Sequence, residues 1–280
     1  MISIELSILT GKHMELQFYL ELFKWGILAG ICFAISTALT SPFLVLQRNS
    51  LFPHAITHIL LLSLLLLSLF KNFLPVFLHF PFLLIVTLFV GYLIHFLTKT
   101  LRIFEDTSTS ILTYLSLGLA LVIAGKTSQF DMTLLNYLFG SFLTVDKKDY
   151  VESFLVMLIT LFLFYYFKDL WLARCFEEEI PGIDFKKSQA LFLLLVTLQS
   201  IVGVKLMGVL LVSSFFVFSS TMALKISSSF SQAISLSLFF NLLAIIFGFI
   251  FSVYFDLPFS SAAVIFMGLG ILGLLIFKGG

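Results

Sequence analysis

Residues 59–70 read Ile-Leu-Leu-Leu-Ser-Leu-Leu-Leu-Leu-Ser-Leu-Phe, a run that is apolar on every face of the chain. A strand of a membrane barrel would alternate polar and apolar residues, and this run does not alternate. Outside a closed barrel, a segment in hydrocarbon satisfies all its backbone hydrogen bonds only as a helix. The run therefore predicts a membrane-spanning α-helix.

Apolar runs of this kind recur along all 280 residues, of which 60% are hydrophobic and 11% are charged. A soluble domain carries roughly 25% charged residues, so this chain lacks the polar atoms that a water-facing surface requires. The sequence thus predicts an all-α, polytopic transmembrane bundle of about eight to ten spans, short or broken helices included. Strong spans are predicted over 25–46, 55–74, 82–97, 110–125, 151–167, 190–204, 206–224, 233–255 and 260–277, with a short apolar segment over 132–143 and a tight turn at Lys205.

The chain is expected to form one integral membrane domain over residues 1–280, because no repeat, linker or low-complexity tract marks a second one. Residues 1–22 mix charged and apolar positions and are expected to form an amphipathic helix at which the chain enters the membrane. One sizeable polar segment, residues 168–189, is assigned to the cytoplasm by the positive-inside rule. Lys71, Lys126 and the pair Lys147–Lys148 blur the charge bias elsewhere, so the orientation of the amino terminus stays open.

The acidic residues restrict how transport through such a bundle would be driven. Secondary transporters usually carry an ionisable acid inside the bilayer, whereas here every Asp and Glu lies in a predicted loop or at a predicted helix end. Gly125-Lys126-Thr127 ends like a P-loop, but the apolar residues before it are the end of a span and not a glycine-rich phosphate cradle. The chain is therefore expected not to be an enzyme, and ATP, if it supplies the energy, must bind a separate subunit.

Two histidines begin the helix that contains the opening run, in the sequence Pro53-His54-Ala55-Ile56-Thr57-His58. Their i, i+4 spacing places both imidazoles on one helical face, close enough to bind one metal ion. Neutral imidazole suits zinc and other first-row transition metals, whereas carboxylates favour harder ions such as manganese. The zinc-protease helix has the same spacing, but no Glu stands between these histidines, which argues against a metalloenzyme. An interfacial pair that bonds only to backbone is the alternative that spacing alone leaves open.

Recognisable patterns follow one another along the chain: Arg48 to His58, Glu105-Asp106-Thr107, Leu138 to Asp149, Val202 to Ser213 and Tyr254 to Pro258. In this order and at this spacing, from about Trp25 to Phe277, they resemble the permease subunits of the bacterial zinc, manganese and iron ABC importers. Two departures from the family pattern stand out. His54 occupies the position of the family's Asp, and Ser219 occupies the position of a family Pro that would kink the helix.

The resemblance implies the ABC importer permease fold, in a homodimer that lies in the bacterial cytoplasmic membrane. It implies cytoplasmic ATP-binding subunits and an extracellular or periplasmic metal-binding protein as partners, with no nucleic acid and no permanently bound cofactor. The family's metal-contacting residues correspond to His54 and His58, and two nitrogen ligands favour zinc as the transported ion. Manganese or iron uptake by the same system, and a stand-alone secondary metal transporter, are the alternatives.

Further residues receive secondary roles. Glu105 and Asp106 are candidate accessory acids for the metal, although acids beside basic residues also neutralise a loop or cap a helix. Contact with the ATPase subunits is expected from short cytoplasmic helices between spans, of which the second candidate is 169–179. The first candidate consists of Lys225, Ser227, Ser228, Ser229 and Gln232. Gly203 and Gly208 have the spacing of residues that allow close helix packing.

Overall fold

A computed structural model describes residues 21, 23–70, 73–75, 78–126, 140, 145–176, 185–255 and 257–278. Eight helices make up this part of the chain: α1 (Lys24–Leu46), α2 (Phe52–Phe70), α3 (His79–Leu101), α4 (Glu105–Lys126), α5 (Lys147–Phe176), α6 (Phe185–Ile226), α7 (Phe230–Phe255) and α8 (Phe259–Lys278). Seven of the helices in these ranges are long and apolar enough to cross a membrane, which confirms the predicted all-α, polytopic bundle. Apart from residue 21 and Gly140, the predicted segments 1–22 and 132–143 lie outside the described residues.

Helices α1 and α6 form the centre of the bundle. Helix α1 packs against α5, α6 and α7, and α6 also contacts α2 and α8. Fully buried alanines on α1, among them Ala29, Ala34 and Ala38, let neighbouring backbones approach closely. The exposed side chains of α3, α4 and α5 are mostly large and apolar, as expected of surfaces that face lipid.

The structure corrects the predicted tight turn at Lys205, which lies within helix α6. The break in α6 occurs at Gly208, where φ is 78° and ψ is 167°, a conformation open essentially to glycine alone. A Cβ atom on Gly203 would lie 2.8 Å from Val212 Cγ2. In a straight helix the two positions would be about 13 Å apart, so the two arms of α6 fold back beside each other at Gly208. The two predicted spans are therefore present, with the turn three residues later than expected.

Lys205 forms ion pairs with two carboxylates at the start of α5. Its Nζ contacts Asp149 and lies 2.9 Å from Glu152 Oε2. Asp149 and Asp146 also cap this helix reciprocally, because each accepts the backbone N–H of the other, at 3.2 Å and 2.9 Å. The N–H of Asp149 holds the pKa of the exposed Asp146 carboxyl below its ordinary value. The charge at the position of the predicted turn is thus explained by partners that lie far away in the sequence.

The predicted loop over 168–189 is also corrected. Helix α5 continues to Phe176 and α6 begins at Phe185, which leaves 177–184, outside the described residues, as the connection. Trp171 is almost fully buried, and its Nε1 donates a hydrogen bond to the Ser188 carbonyl at 3.2 Å. The apolar side of α5 therefore stays packed beyond the first charged residues, which keeps the helix intact.

Contacts between helix ends show which turns share one end of the bundle. Gln189 Nε2 donates to Gln47 Oε1 at 3.0 Å, so the turn from α1 to α2 lies beside the connection from α5 to α6. The rings of Phe43 and Phe230 are 4.7 Å apart, which places the turn from α6 to α7 at the same end. By the positive-inside rule the basic residues of α5 and α6 assign this end to the cytoplasm. Helix α1 accordingly begins at the outer face of the membrane.

Ser219 leaves α6 unkinked. Gly208 is the one residue of α6 with non-helical backbone angles, and Ser219 Oγ donates to the Phe215 carbonyl at 2.5 Å within the helix. The kink that a proline would introduce at this position is therefore absent from this arm of α6.

Candidate metal-binding site

The histidine pair lies at the cytoplasmic end of α2, directly after the turn from α1. Helix α1 closes with a Schellman motif, in which Asn49 N–H donates to Leu44 O at 2.8 Å and Arg48 N–H donates to Val45 O at 3.1 Å. Arg48 occupies the left-handed position of this motif, with φ at 59°. A residue with a Cβ pays about 1 kcal/mol for this conformation, which glycine would adopt more readily. The motif sets the direction in which α2 begins.

Both histidines fall in the first two turns of α2, as the i, i+4 spacing predicts. Their ring centroids are 4.6 Å apart, with an interplanar angle of 83°. Two nitrogens that bind one zinc ion at about 2.0–2.1 Å lie roughly 3.3 Å from each other, a separation that rings at this distance reach by side-chain rotation. The structure therefore brings the pair together as the sequence predicts.

The two rings differ in their surroundings. His54 is exposed, whereas His58 is half-buried. The Nδ1 atom of His58 is buried and has no hydrogen-bond partner within the described ranges. Thr57, between them, donates its hydroxyl proton to the His54 carbonyl at 2.7 Å. An interfacial histidine bonded to backbone would have used its ring nitrogens, so the geometry favours a nitrogen donor that is ready to bind a ligand.

The described part of one chain brings two candidate ligands together and not four. Among these residues no group of three or more His, Cys, Asp and Glu side chains could hold a metal ion. Glu105 and Asp106 begin α4, which packs against α2. The ring contact between Phe70 and Phe82 places the end of α2 beside the start of α3. Helix α3 therefore runs back towards the histidines, and α4, which follows it after a short turn, begins at the same end of the bundle as they do. Their role as accessory acids stays a prediction. A tetrahedral zinc ion needs two more ligands, from water, another part of this chain or another chain.

The first candidate for contact with ATPase subunits is a tight turn, so the expected short helix there is wrong. Only Ser227, Ser228 and Ser229 separate α6 from α7. Gln232 Oε1 accepts hydrogen bonds from Ser228 N–H at 2.9 Å and Ser228 Oγ at 2.8 Å, and Gln232 N–H donates to Ser229 Oγ at 3.3 Å. These bonds cap α7 immediately, which leaves no room for a separate helix.

The second candidate, 169–179, does not form a separate helix either. Residues 169–176 are the last turns of α5, and 177–179 lie outside the described residues. Contact of either segment with an ATPase subunit stays a prediction.

Sequence reasoning missed a polar network in the centre of the bundle. Gln199 on α6 is fully buried; its Oε1 accepts from Thr40 Oγ1 at 2.9 Å, and its Nε2 donates to Ser36 O at 3.0 Å and Thr160 Oγ1 at 3.1 Å. One amide thereby joins α1, α5 and α6. The signal was present in the sequence, because an amide in the middle of an apolar span is costly without partners. Gln199 carries no charge, so the lack of acids within the predicted spans says nothing about it.

Gly203 and Gly208, the two glycines on α6, have different roles. Gly203 packs against α1, where a Cβ atom would lie 2.4 Å from Phe33 Cζ, so the expected packing role is confirmed. Gly208 forms the turn between the two arms of α6 and lies beside Gly140, whose own φ is 75°. A Cβ on Gly140 would lie 2.3 Å from the carbonyl carbon of Met207, so both positions require glycine.

Comparison with known proteins gives consistent matches over nearly the whole chain. The model of the ABC 3 transport family matches residues 19–278. The high-affinity zinc uptake system membrane protein ZnuB of Buchnera aphidicola is 28% identical over 247 residues, which cover 86% of this chain and 92% of the relative. ZnuB of Haemophilus influenzae is 24% identical over 243 residues, which cover 86% and 91%. The solved structure of PsaBC from Streptococcus pneumoniae in complex with Fab contains a chain with the same fold, with a TM-score of 0.81, 22% identity and coverage of 94% and 95%.

Proposed function

Because this chain belongs to the ABC 3 transport family, we propose that it is the membrane-spanning permease subunit of an ATP-driven importer that carries zinc. The family is one of transport subunits and not of catalytic enzymes. Relatives named as zinc uptake proteins support the choice of metal. The observation that carries the proposal is the histidine pair on α2, where two neutral nitrogen donors lie together and His58 Nδ1 has no protein partner in the described ranges.

A second copy of this chain completes the proposed site. His54 is exposed in the single chain, although it belongs to a helix that is largely enclosed by its neighbours. A two-fold axis beside this face would bring four imidazole nitrogens around one ion, which is the number that zinc prefers. Cytoplasmic ATP-binding subunits would drive the helices between two tilts, and an extracellular or periplasmic metal-binding protein would deliver the ion at the outer face.

Manganese or iron is the alternative cargo of the same system. Manganese would favour carboxylate ligands, and among the described residues no group of three or more His, Cys, Asp and Glu side chains forms around the pair. A stand-alone secondary transporter would need its own coupling acid inside the bilayer. Within the described ranges the carboxylates lie near helix ends, and two of them, Asp149 and Glu152, are paired with Lys205. These observations favour the importer and its nitrogen site.

The test is uptake of radioactive zinc and manganese by cells that lack their own uptake systems and express this chain with its ATP-binding and metal-binding partners. The variants are His54→Ala and His58→Ala. His79→Ala is the matched control, because His79 begins α3 at the opposite end of the bundle and lies 3.3 Å from the Leu74 carbonyl. A partner ATPase with its P-loop lysine replaced tests whether ATP supplies the energy.

Three results together support the proposal: zinc uptake requires the intact ATPase, it falls at least about tenfold in both α2 variants, and it survives His79→Ala. A tenfold fall corresponds to about 1.4 kcal/mol of lost binding free energy. Undiminished uptake by both α2 variants would remove the pair from the ion's path. Manganese uptake without zinc uptake would contradict the choice of metal, and zinc uptake with the inactive ATPase would contradict the importer.

A further inference from the structure

The interface between α1 and α7 buries polar atoms that no described protein group satisfies. Ser41 Oγ, Ser237 Oγ and Asn241 Oδ1 are buried without a hydrogen-bond partner in the ranges that the structure covers. All three residues have 0% relative exposure. A buried hydroxyl or amide oxygen without a partner destabilises the folded state, so native proteins usually place a water molecule beside such groups. These three oxygens therefore need a ligand.

The three residues belong to one stretch of the interface, because α1 and α7 run antiparallel. The contacts that show this are the ring pair Phe23 with Phe249, the hydrogen bond from Asn241 Nδ2 to Thr37 Oγ1 at 3.1 Å, and the ring pair Phe43 with Phe230. Ser41 follows Thr37 by about one helical turn, and Ser237 precedes Asn241 by about one turn. Moving one turn in opposite directions along antiparallel helices brings Ser41 opposite Ser237, next to Asn241.

The backbone of α1 adds a further acceptor at this level. Pro42 lies inside α1 and has no N–H, so the carbonyl of Ala38 lacks its ordinary i+4 donor. The cluster thus combines two hydroxyls, which donate and accept, with two carbonyl-type oxygens, which only accept.

We propose that this cluster is a buried water site, in which one or two water molecules bridge Ser41, Ser237 and Asn241. A water molecule donates to the acceptor-only oxygens and accepts from the hydroxyls, and a buried water typically makes about three such bonds. A cation is the other ligand that a cluster of oxygens would take. Helices α1 and α7 contain no Asp or Glu, and a cation buried without a counter-charge carries a large desolvation penalty. Water is therefore the ligand that fits.

The seam between α1 and α6 shows the contrast. There Gln199 bonds directly to Thr40, Ser36 and Thr160, and its oxygen and nitrogen both have protein partners. Gln199 thus bonds α6 directly to α1 and to α5. Helix α7 is bonded directly to α1 by Asn241 Nδ2, which donates to Thr37 Oγ1 at 3.1 Å and to Ala34 O at 3.5 Å, and in the proposal it is bonded to α1 through water as well. Water bridges exchange partners without leaving a group unsatisfied, so the proposed bridge would hold Ser41 to Ser237 less rigidly than Gln199 holds α6 to α1.

The test is thermal unfolding of the full chain in lipid nanodiscs, for Ser41→Ala and Ser237→Ala singly and together. If water bridges the pair, each substitution lowers Tm by roughly 2–4 °C, and the double variant loses less than the sum because both remove the same bridge. Ser200→Ala is the control, since Ser200 is equally buried and its Oγ donates to Val196 O within its own helix at 2.8 Å. Substitutions that leave Tm unchanged or raise it, relative to this control, would show dry hydroxyls and overturn the proposal.

The identity of the ligand is tested by repeating the unfolding in sodium, potassium and choline chloride at equal ionic strength. A Tm that is the same in all three salts supports water. A rise in Tm with one cation that the double variant loses would show a cation site instead and overturn the proposal.

Discussion

Replacing Gly203 with alanine tests the contact between α1 and α6 on which the bundle is centred. A Cβ at this position would lie 2.4 Å from Phe33 Cζ and 2.8 Å from Val212 Cγ2, well inside van der Waals contact. Phe33 has little freedom to turn away, because it is 2% exposed and its ring lies 5.8 Å from that of Phe215 and 6.4 Å from that of Phe216. The added methyl group must therefore displace a packed ring or separate the two helices.

Two effects of opposite sign determine the size of the change. Glycine to alanine in an open helical position stabilises by about 1 kcal/mol. Forcing an extra methyl group into a packed core costs about 1–3 kcal/mol. With the ring of Phe33 held on several sides we expect the upper part of this range, hence a net loss of roughly 1–2 kcal/mol and a fall in Tm of about 2–8 °C.

Gly118→Ala on α4 is the matched control, because a Cβ there meets nothing within 4 Å. The same chemical change is expected to raise Tm by about 2–4 °C at this position. Thermal unfolding in nanodiscs, followed by tryptophan fluorescence, gives both values. Phe33→Leu in the Gly203→Ala background should recover part of the loss, since the smaller side chain makes room for the methyl group.

The outcome that refutes the reasoning is a Gly203→Ala variant that is as stable as Gly118→Ala. That result would mean that α1 and α6 are further apart than described. A loss that Phe33→Leu deepens instead of relieving would contradict the assignment of the clash to this ring.

Three other substitutions probe the turn, the polar centre and the metal pair. Arg48→Gly relieves the left-handed backbone at φ 59° and should raise the free energy of unfolding by roughly 0.5–1 kcal/mol in a thermal melt; an unchanged melt would show that the turn is not strained. Gln199→Leu removes three hydrogen bonds among α1, α5 and α6 and should lower the free energy of unfolding by about 1–3 kcal/mol. The loss should exceed that of Gln189→Leu, because Gln189 lies at the partly buried cytoplasmic end. Equal losses in the two variants would contradict a structural role for the network. His54→Asp supplies a carboxylate ligand and should shift uptake in cells from zinc towards manganese, whereas an unchanged ratio would show that this position does not select the ion.

Span positions follow closely from the sequence, because crossing a bilayer depends on length and hydrophobicity along one segment. The predicted spans 25–46 and 233–255 correspond to Lys24–Leu46 and Phe230–Phe255. Agreement is worse for 151–167, which is the middle of Lys147–Phe176. Charged residues ended the predicted span, whereas in the structure the helix continues while Trp171 stays buried on its packed side. Hydropathy reports where a helix leaves hydrocarbon and not where its backbone ends.

Features that depend on distant partners did not follow from the sequence. A charge that interrupts an apolar run predicts a turn at Lys205, but the carboxylate partners of Lys205 lie more than 50 residues earlier in the chain. The turn occurs at Gly208, and nothing in the neighbouring sequence distinguishes this glycine from the other glycines in the spans. The close approach of Gly140 to Met207 joins two segments that are far apart in the sequence. Local patterns carry no information on such pairs.

The candidate metal site likewise follows from the sequence only in part. His54 and His58 share a helical face by spacing alone, so their proximity was predictable, whereas the described part of one chain groups no third His, Cys, Asp or Glu side chain with them. In the proposed importer, the exchange of the family's Asp for His54 also changes the charge of the site. A carboxylate would neutralise part of the ion's positive charge, whereas two neutral imidazoles neutralise none of it. At a partly exposed helix end the ion also retains part of its hydration. Such a site attracts a cation less through charge than a site with a carboxylate does, so its hold on the ion depends on the nitrogen donors that zinc prefers. In the proposed importer an ion bound at this pair must also leave, and a site without a fixed negative charge opposes its departure less.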